Sequence, residues 1–295
     1  MRRLFGLFIL LLFVAGLALA GYLFFGGPEP RQITVSASSG DAVRGTYLAR
    51  MGGCIACHTD SKGGGALLAG GAAIKTPFGT FYGPNITPDE RSGIGRWSLE
   101  DFADAMTAGI KPDGRPYYPV FPYTSYTLMS DQDLADLWAA LQTVPAVEGR
   151  APPNKVNSLF DHRFLLIPWQ TLFLQPGPYE PDPKRSDAWN RGAFIVQGPG
   201  HCVACHTPRN ILGGPEEDRA LEGGEGPDGE KVPAITGDAL RKAGWTAGDI
   251  AYALKTGLTP EGDSMGGSMG EVVTGATSQL SDEDRQAIAT YLLEQ

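Results

Sequence analysis

CIACH (residues 54–58) and CVACH (residues 202–206) hold all four cysteines of a 295-residue chain. Laying the second on the first brings much of the remaining sequence into or near register. RGTY from Arg44 meets RGAF from Arg191, NIT at 85–87 meets AIT at 234–236, Trp97 meets Trp245, Asp101 meets Asp249 and Gly109 meets Gly257. Near the ends, SDQDLADLWAAL from Ser130 resembles SDEDRQAIATYL from Ser281. One building block therefore occurs twice. This sets domains at 41–148 and 187–295 with a connector, 149–186, between them. The middle of that connector, 159–174, is apolar enough to pack on a domain or on a membrane surface.

Each copy reads as helices separated by glycine-rich loops, in keeping with 40 glycines and 23 prolines. A first helix, Asp41 to Met51 or Asp187 to Gln197, leads into the cysteines. A second opens near Ser98 or Thr246 and a third at Ser130 or Ser281, each with an acid three residues on, a capping-box-like start. In the third helix Leu134, Leu137, Trp138 and Leu141 recur at helical spacing. No segment alternates long enough to argue for a sheet. The expected fold class is all-α.

Four cysteines can make disulfides, a zinc site, a redox dithiol or haem attachments. Disulfides within each pair leave the histidines without a role. A four-thiolate zinc site needs both pairs in one place, whereas they occupy equivalent places in separate copies. Thioredoxin-like chemistry expects a βαβ context, and none is visible. Covalent haem of the c type asks for this arrangement: two sulfurs for the porphyrin vinyl groups, then a histidine whose ring reaches the iron. Cys54, Cys57, Cys202 and Cys205 are therefore expected to carry two c-type haems, with His58 and His206 as proximal iron ligands.

The sixth ligand decides whether such an iron passes electrons or does chemistry, and methionine opposite histidine suits electron transfer. The second copy offers Met265 and Met269 in EGDSMGGSMGEVV, and Met269, followed closely by apolar Val272 and Val273, is favoured. In the first copy the position equivalent to Met269 is Phe121, which cannot bind iron. Met129 is the expected substitute, with Met106, His162 and an iron left open to water as alternatives. Trp97 and Trp245 are expected at the haem edges. Arg44, Arg96 and Arg191 could pair with haem propionates or simply face solvent. His201 is expected to be exposed, and the acidic run from Glu216 to Glu230 to be a solvated loop.

Arg2 and Arg3 precede 22 uncharged residues, Leu4 to Phe25. That is long enough for a membrane-spanning helix and longer than the apolar region of a signal peptide. The flanking arginines keep that end in the cytoplasm and place the rest outside. Residues 1–26 are read as a retained anchor, in preference to cleavage after Ala18-Leu19-Ala20, and 27–40 as a flexible tether. The net charge of −9 disfavours nucleic acid as a partner and suits a basic patch on a partner protein.

GTYLARMGGCIACHT, TPFGTFYGPNITPDERSGIGRWSLEDFADAM, DGRPYYPVFPYTSY and WNRGAFIVQGPGHCVACHTPRN resemble the cytochrome c subunits of bacterial membrane-bound alcohol, gluconate and aldehyde dehydrogenases. The likeness covers about residues 41–295. It implies two tandem class I cytochrome c domains after an N-terminal transmembrane helix, on the periplasmic side of the inner membrane. It also implies an electron-transfer subunit rather than a catalyst. Such a subunit accepts electrons from a dehydrogenase of flavin, quinone-cofactor or molybdenum type and delivers them to a respiratory acceptor: a quinone, a soluble cytochrome or an oxidase. Many members have three C-x-x-C-H sequences where this chain has two, and the two-haem form most resembles those beside molybdenum-containing aldehyde or heterocycle dehydrogenases. Members often read proline-x-methionine-proline-tyrosine where this chain reads PVFPY. A different class, a peroxidase-like haem enzyme or a sensor using an open first iron, is the alternative.

Overall fold

The computed structural model describes residues 2–226 and 229–295; Met1, Pro227 and Asp228, and the side chains of Arg2, Arg3, Leu4 and Leu159, lie outside the described residues. In chain order the helices are α1 (Arg2–Phe25), α2 (Ala42–Met51), α3 (Cys54–His58), α4 (Leu99–Ala108), α5 (Tyr123–Tyr126), α6 (Asp131–Gln142), α7 (Leu166–Phe173), α8 (Asp187–Gln197), α9 (Val203–His206), α10 (Gly237–Lys242), α11 (Ala247–Thr256), α12 (Gly267–Gly275) and α13 (Asp282–Glu294). The fold is mostly helical. Two small antiparallel ribbons interrupt it: β1 (Ala73–Thr76), β2 (Gly79–Tyr82) and β3 (Lys155–Val156) form one, β4 (Gly224–Glu225) and β5 (Lys231–Val232) the other. Strands of two to four residues carry too little alternation to stand out in a sequence, so the all-α expectation missed them.

The first and last helices of each copy cross at a glycine. α2 packs on α6 and α8 on α13. A Cβ on Gly45 would overlap the carbonyl of Asp136, and one on Gly192 the carbonyl of Ala287. These are the glycines of RGTY and RGAF. The expected helix starts hold: Ser98, Ser130 and Thr246 each close a complete capping box with Asp101, Asp133 and Asp249.

The fourth such start, at α13, is completed by the other half of the molecule. Ser281 accepts from the Asp284 amide at 3.1 Å, but its own N–H is taken by the Tyr47 hydroxyl of α2 at 2.9 Å. Tyr47 in turn donates to Asp284 Oδ2 at 2.7 Å, and Arg191 holds both oxygens of that carboxylate at 2.7 Å. The residue equivalent to Tyr47 is Phe194, which shares a cavity of about 280 Å³ with Ser130 and Asp133 of the first half. The halves thus clasp each other through matching positions, with a hydroxyl on one side only. Buried residues from both join one contiguous apolar core.

Burial alone would raise the Asp284 carboxyl, yet the Arg191 and Tyr47 bonds hold it below the usual carboxylate value. A group with a depressed folded pKa stabilises above its unfolded pKa and loses that contribution as pH falls through the folded one. Tyr47→Phe is expected to cost about 2 kcal/mol at pH 7, the value of a hydrogen bond to a charged group. In guanidinium unfolding of the wild type and variant, that gap is expected to narrow as the pH is taken below about 4. A constant gap would mean that the clasp does not depend on the Asp284 charge.

The segment read as a flexible tether is docked. Arg31 donates to the carbonyls of Thr127 and Met129 and pairs with Asp131, which also receives Thr34, while Ile33 and Val35 pack on the core. α1 contains a stretch, Phe5–Phe25, long and apolar enough to cross a membrane, and it is exposed along its length.

Candidate functional site

Each cysteine pair begins where a first helix ends in a tight turn. Gly52 and Gly53, the latter at φ +63°, turn the chain from α2 into α3; Gly198 to His201 do so between α8 and α9. The histidines that follow are held in the same way. His58 Nδ1 lies 2.7 Å from the carbonyl of Pro84, and His206 Nδ1 2.8 Å from that of Pro233. A carbonyl only accepts, so Nδ1 carries the hydrogen and Nε2 keeps its lone pair. Burial lowers both imidazoles, with the carbonyl bond acting the other way. Both are neutral at pH 7.

The surrounding backbone repeats as well. Gly70 and Gly223 donate to the carbonyls of His58 and His206; Leu68 and Leu221 donate to the hydroxyls of Thr59 and Thr207; Ile86 and Ile235 donate to the carbonyls of Leu68 and Leu221. Both leucines adopt left-handed φ, +58° and +65°. Pro84 and Pro233 are the residues before NIT and AIT, which the repeat aligns. Their place about one loop after each histidine was the available signal.

The four cysteines form no disulfide with one another. Burial first, then the partner sulfur, pushes Cys54 and Cys202 up to about 12. Among the described residues no three His, Cys, Asp or Glu side chains gather as metal ligands. Each imidazole is therefore offered singly, which fits a metal that brings its own equatorial ligands. Porphyrin does so, and the carbonyl behind each ring is the second partner that orients metal-binding histidines.

The methionines fall into two groups. Met129 is fully buried, directly before the N-cap Ser130, and in the same core as Leu134. That is the position of Leu280 before Ser281 in the other half, and of a hydrophobic staple. Phe121 is half-buried, ringed by Tyr117, Tyr123 and Tyr126 at 5.4, 6.3 and 5.7 Å between centroids. Met106 is core on α4, and His162 is exposed beside Phe164. Met265 and Met269 are half-buried; Met269 lies on α12, in the glycine-rich stretch before the last helix. α12 packs on the first cysteine segment and the loop that holds Glu230: Ser268 N donates to Glu230, Lys62 pairs with Glu271, and Gly275 lies against Ala56.

Arg44 and Arg191 are engaged by Asp133, Asp136 and Asp284, which removes two of the three propionate candidates. Arg96 is exposed and forms no ion pair among the described residues. Trp97 and Trp245 are half-buried against the core just before their N-caps. His201, expected at the surface, is half-buried with its ring edge-on to Tyr126 at 5.8 Å. Tyr126 donates to the Gly52 carbonyl at 2.7 Å. A Cβ on Gly53 would sit 3.8 Å from His201 Nε2. The residues just before Cys54 and Cys202 are therefore neighbours.

Two singly offered imidazoles, each beside a thiol pair and fixed from behind by a carbonyl, define a protein of covalently attached haem. A family model described as cytochrome c matches residues 190–295. A diheme cytochrome c-type protein of Cereibacter sphaeroides is 43% identical over 263 residues, 86% of each chain. A nicotinate dehydrogenase subunit of Pseudomonas putida is 43% identical over 249 residues, 84% of this chain and 21% of that one. The alcohol dehydrogenase (quinone) cytochrome c subunit of Gluconacetobacter polyoxogenes is 37% identical over 273 residues, 88% of this chain and 57% of that one. The chain thus spans most of the first relative, about a fifth of the second and just over half of the third. It belongs to the cytochrome c family, and its cofactors are two covalently bound c-type haems.

Proposed function

We propose that this chain is a membrane-anchored di-haem cytochrome on the periplasmic face of the inner membrane. It relays single electrons from a dehydrogenase catalytic subunit to a respiratory acceptor: a quinone, a soluble cytochrome or an oxidase. Electron transfer follows from the cytochrome c relatives; the route is our reading. Its main support is the contact between the attachment segments through Gly52, Gly53, Tyr126 and His201. Tunnelling falls steeply with distance, so a relay needs its two haems close and held there. Nicotinate is an aromatic heterocycle, and the relative named for its dehydrogenase favours a donor of the heterocycle-oxidising kind.

In this reading 41–148 and 187–295 are tandem class I cytochrome c domains, 149–186 connects them, and 1–26 is a retained anchor. Haem bound at each site supplies a one-electron couple at iron. Cys54, Cys57, Cys202 and Cys205 tether it. His58 and His206 present Nε2 while Pro84 and Pro233 hold their Nδ1 protons. Met269 is the sixth ligand at the second site and Met129 at the first.

Met269→Ala is expected to remove the near-infrared methionine–iron band of one haem. Its potential should fall by about 0.1 V or more, within the range that axial ligands command. Retention of both bands would move the role to Met265. The core position of Met129, matching Leu280, supports a second reading in which the first iron takes no methionine. Met129→Leu separates the two: loss of a band assigns Met129 as ligand, while unchanged bands with rapid carbon monoxide binding at one haem favour the enzyme or sensor.

The relay itself is tested on the complex isolated from detergent-solubilised membrane. Substrate of the co-purifying dehydrogenase should reduce both haems within turnover. If neither haem is reduced, the relay is wrong.

A further inference from the structure

Helix α7 is built inside out for a water-facing helix. Its one fully buried side chain is polar: Gln170 is 2% exposed and donates to the carbonyls of Ala108 and Gly109, each at 3.1 Å. Of its apolar side chains, Leu166, Ile167, Trp169 and Phe173 are half-buried, and Leu172 faces outward. Leu172 is 52% exposed, and Phe164 and Leu165 in the preceding turn are 55% and 41% exposed. The Trp169 indole ties this helix to the carbonyl of Leu212 at 3.1 Å, and there Ile211 is 100% and Leu212 59% exposed. A contiguous outward apolar face of this kind marks a contact surface.

The neighbour of this face is α1. Thr171 Oγ1 donates to the Leu23 carbonyl at 3.2 Å, Phe24 stacks on Phe164 with centroids 6.4 Å apart, and Ile167 borders Gly27. Phe5–Phe25 is 21 residues long. At roughly 1.5 Å per residue it spans about 30 Å, the thickness of a hydrocarbon core. Its last turn therefore leaves the lipid at the level of α7. Although the chain carries a net charge of −9, neither 162–174 nor 207–214 contains an acidic residue, and each carries an arginine, Arg163 or Arg209. A tryptophan whose N–H is satisfied suits that depth.

The geometry points to a second membrane contact: α7 and the Ile211–Leu212 loop lie in the headgroup–acyl boundary of the leaflet from which α1 emerges, a monotopic face that fixes how the haem domains stand over the bilayer. This rests on the reading of α1 as a membrane span.

The test uses the full haem-loaded chain in phosphatidylcholine–phosphatidylglycerol vesicles containing a phospholipid with a diazirine in its acyl chain. After illumination, labelled peptides are mapped by mass spectrometry. Labelling of 162–174 and 207–214, at least tenfold above peptides from α4 and α13, is expected alongside labelling of α1. Leu172→Glu and Ile211→Glu, both at exposed positions, should each cut labelling of their own peptide several-fold and leave the visible haem spectrum and the α1 label unchanged. Label confined to α1 overturns the proposal while leaving the anchor intact. Label on α7 without label on α1, with the chain extracted by carbonate, keeps the contact and refutes the span. Label on neither overturns both.

Discussion

Chains carrying Cys202→Ser and Cys205→Ser are expected to leave the assembly machinery with one haem in place of two. The pyridine haemochrome absorbance per chain should halve. The loss should not stay local. Residues 198–236 make few and short regular elements of their own. Around His206 the structure consists of single hydrogen bonds from loops: Gly223 to the His206 carbonyl, Leu221 to Thr207, and Nδ1 to Pro233. Such loops gain their order from a rigid apolar object between them. Without it the second half is expected to lose most of a domain's 5–15 kcal/mol margin, seen as early, non-cooperative melting of helicity and fast amide exchange in α8 and α13. His206→Ala makes the contrast, because the sulfurs remain: two haems per chain, one with an altered ligand field. Two haems in the double-serine chain would sink the site assignment.

Gly192→Val is expected to be nearly as damaging for a different reason. α8 meets α13 so closely that a side chain at Gly192 would overlap the Ala287 carbonyl and crowd the Tyr291 Cβ. Backbone cannot swing aside as a side chain can, so the helices must separate. Overpacking of side chains alone costs about 1–3 kcal/mol, and parting two helices belongs in the rarer class of about 4 kcal/mol or more. Valine's gain in helix propensity over glycine is only a few tenths of a kcal/mol. For a unit of this size the melting point should fall by roughly 15 °C or more. Gly45→Val, facing the Asp136 carbonyl and Ala140, should behave alike. Little change in either variant would mean that the crossings are looser than described.

These two predictions draw on different sources. The cysteine–histidine words and the duplicated helix starts were legible because they are local: a thiol pair with a trailing imidazole, a serine with an acid three residues on, apolar residues at helical spacing. The glycines of RGTY and RGAF were visible as matching letters without a reason, since the reason is a neighbour about 95 residues away in each case. Pro84 and Pro233 lie one loop after the histidines whose Nδ1 they hold, a contact that no local pattern marks. Arg44 and Arg191 were weighed as propionate partners, and the structure engages both with carboxylates from the last helix of their own half. His201 looked exposed because its neighbours in sequence are small. Its neighbours in space, Tyr126 and Gly53, come from the other half.

By itself the sequence determined that the cofactors are c-type haems, and it pointed to two segments as their sites, because covalent attachment is chemistry within five consecutive residues. It also determined that one helical plan is used twice and that an apolar segment precedes it. Only the tertiary structure decided that the two copies share a core. The same is true of α13, which borrows Tyr47 to finish its cap, of the half-buried Met269 on a helix packed against the first cysteine segment, and of the exposed apolar residues of the connector beside the emerging α1. Each of these is a distance between residues far apart in the chain, and packing sets such distances where no local pattern does.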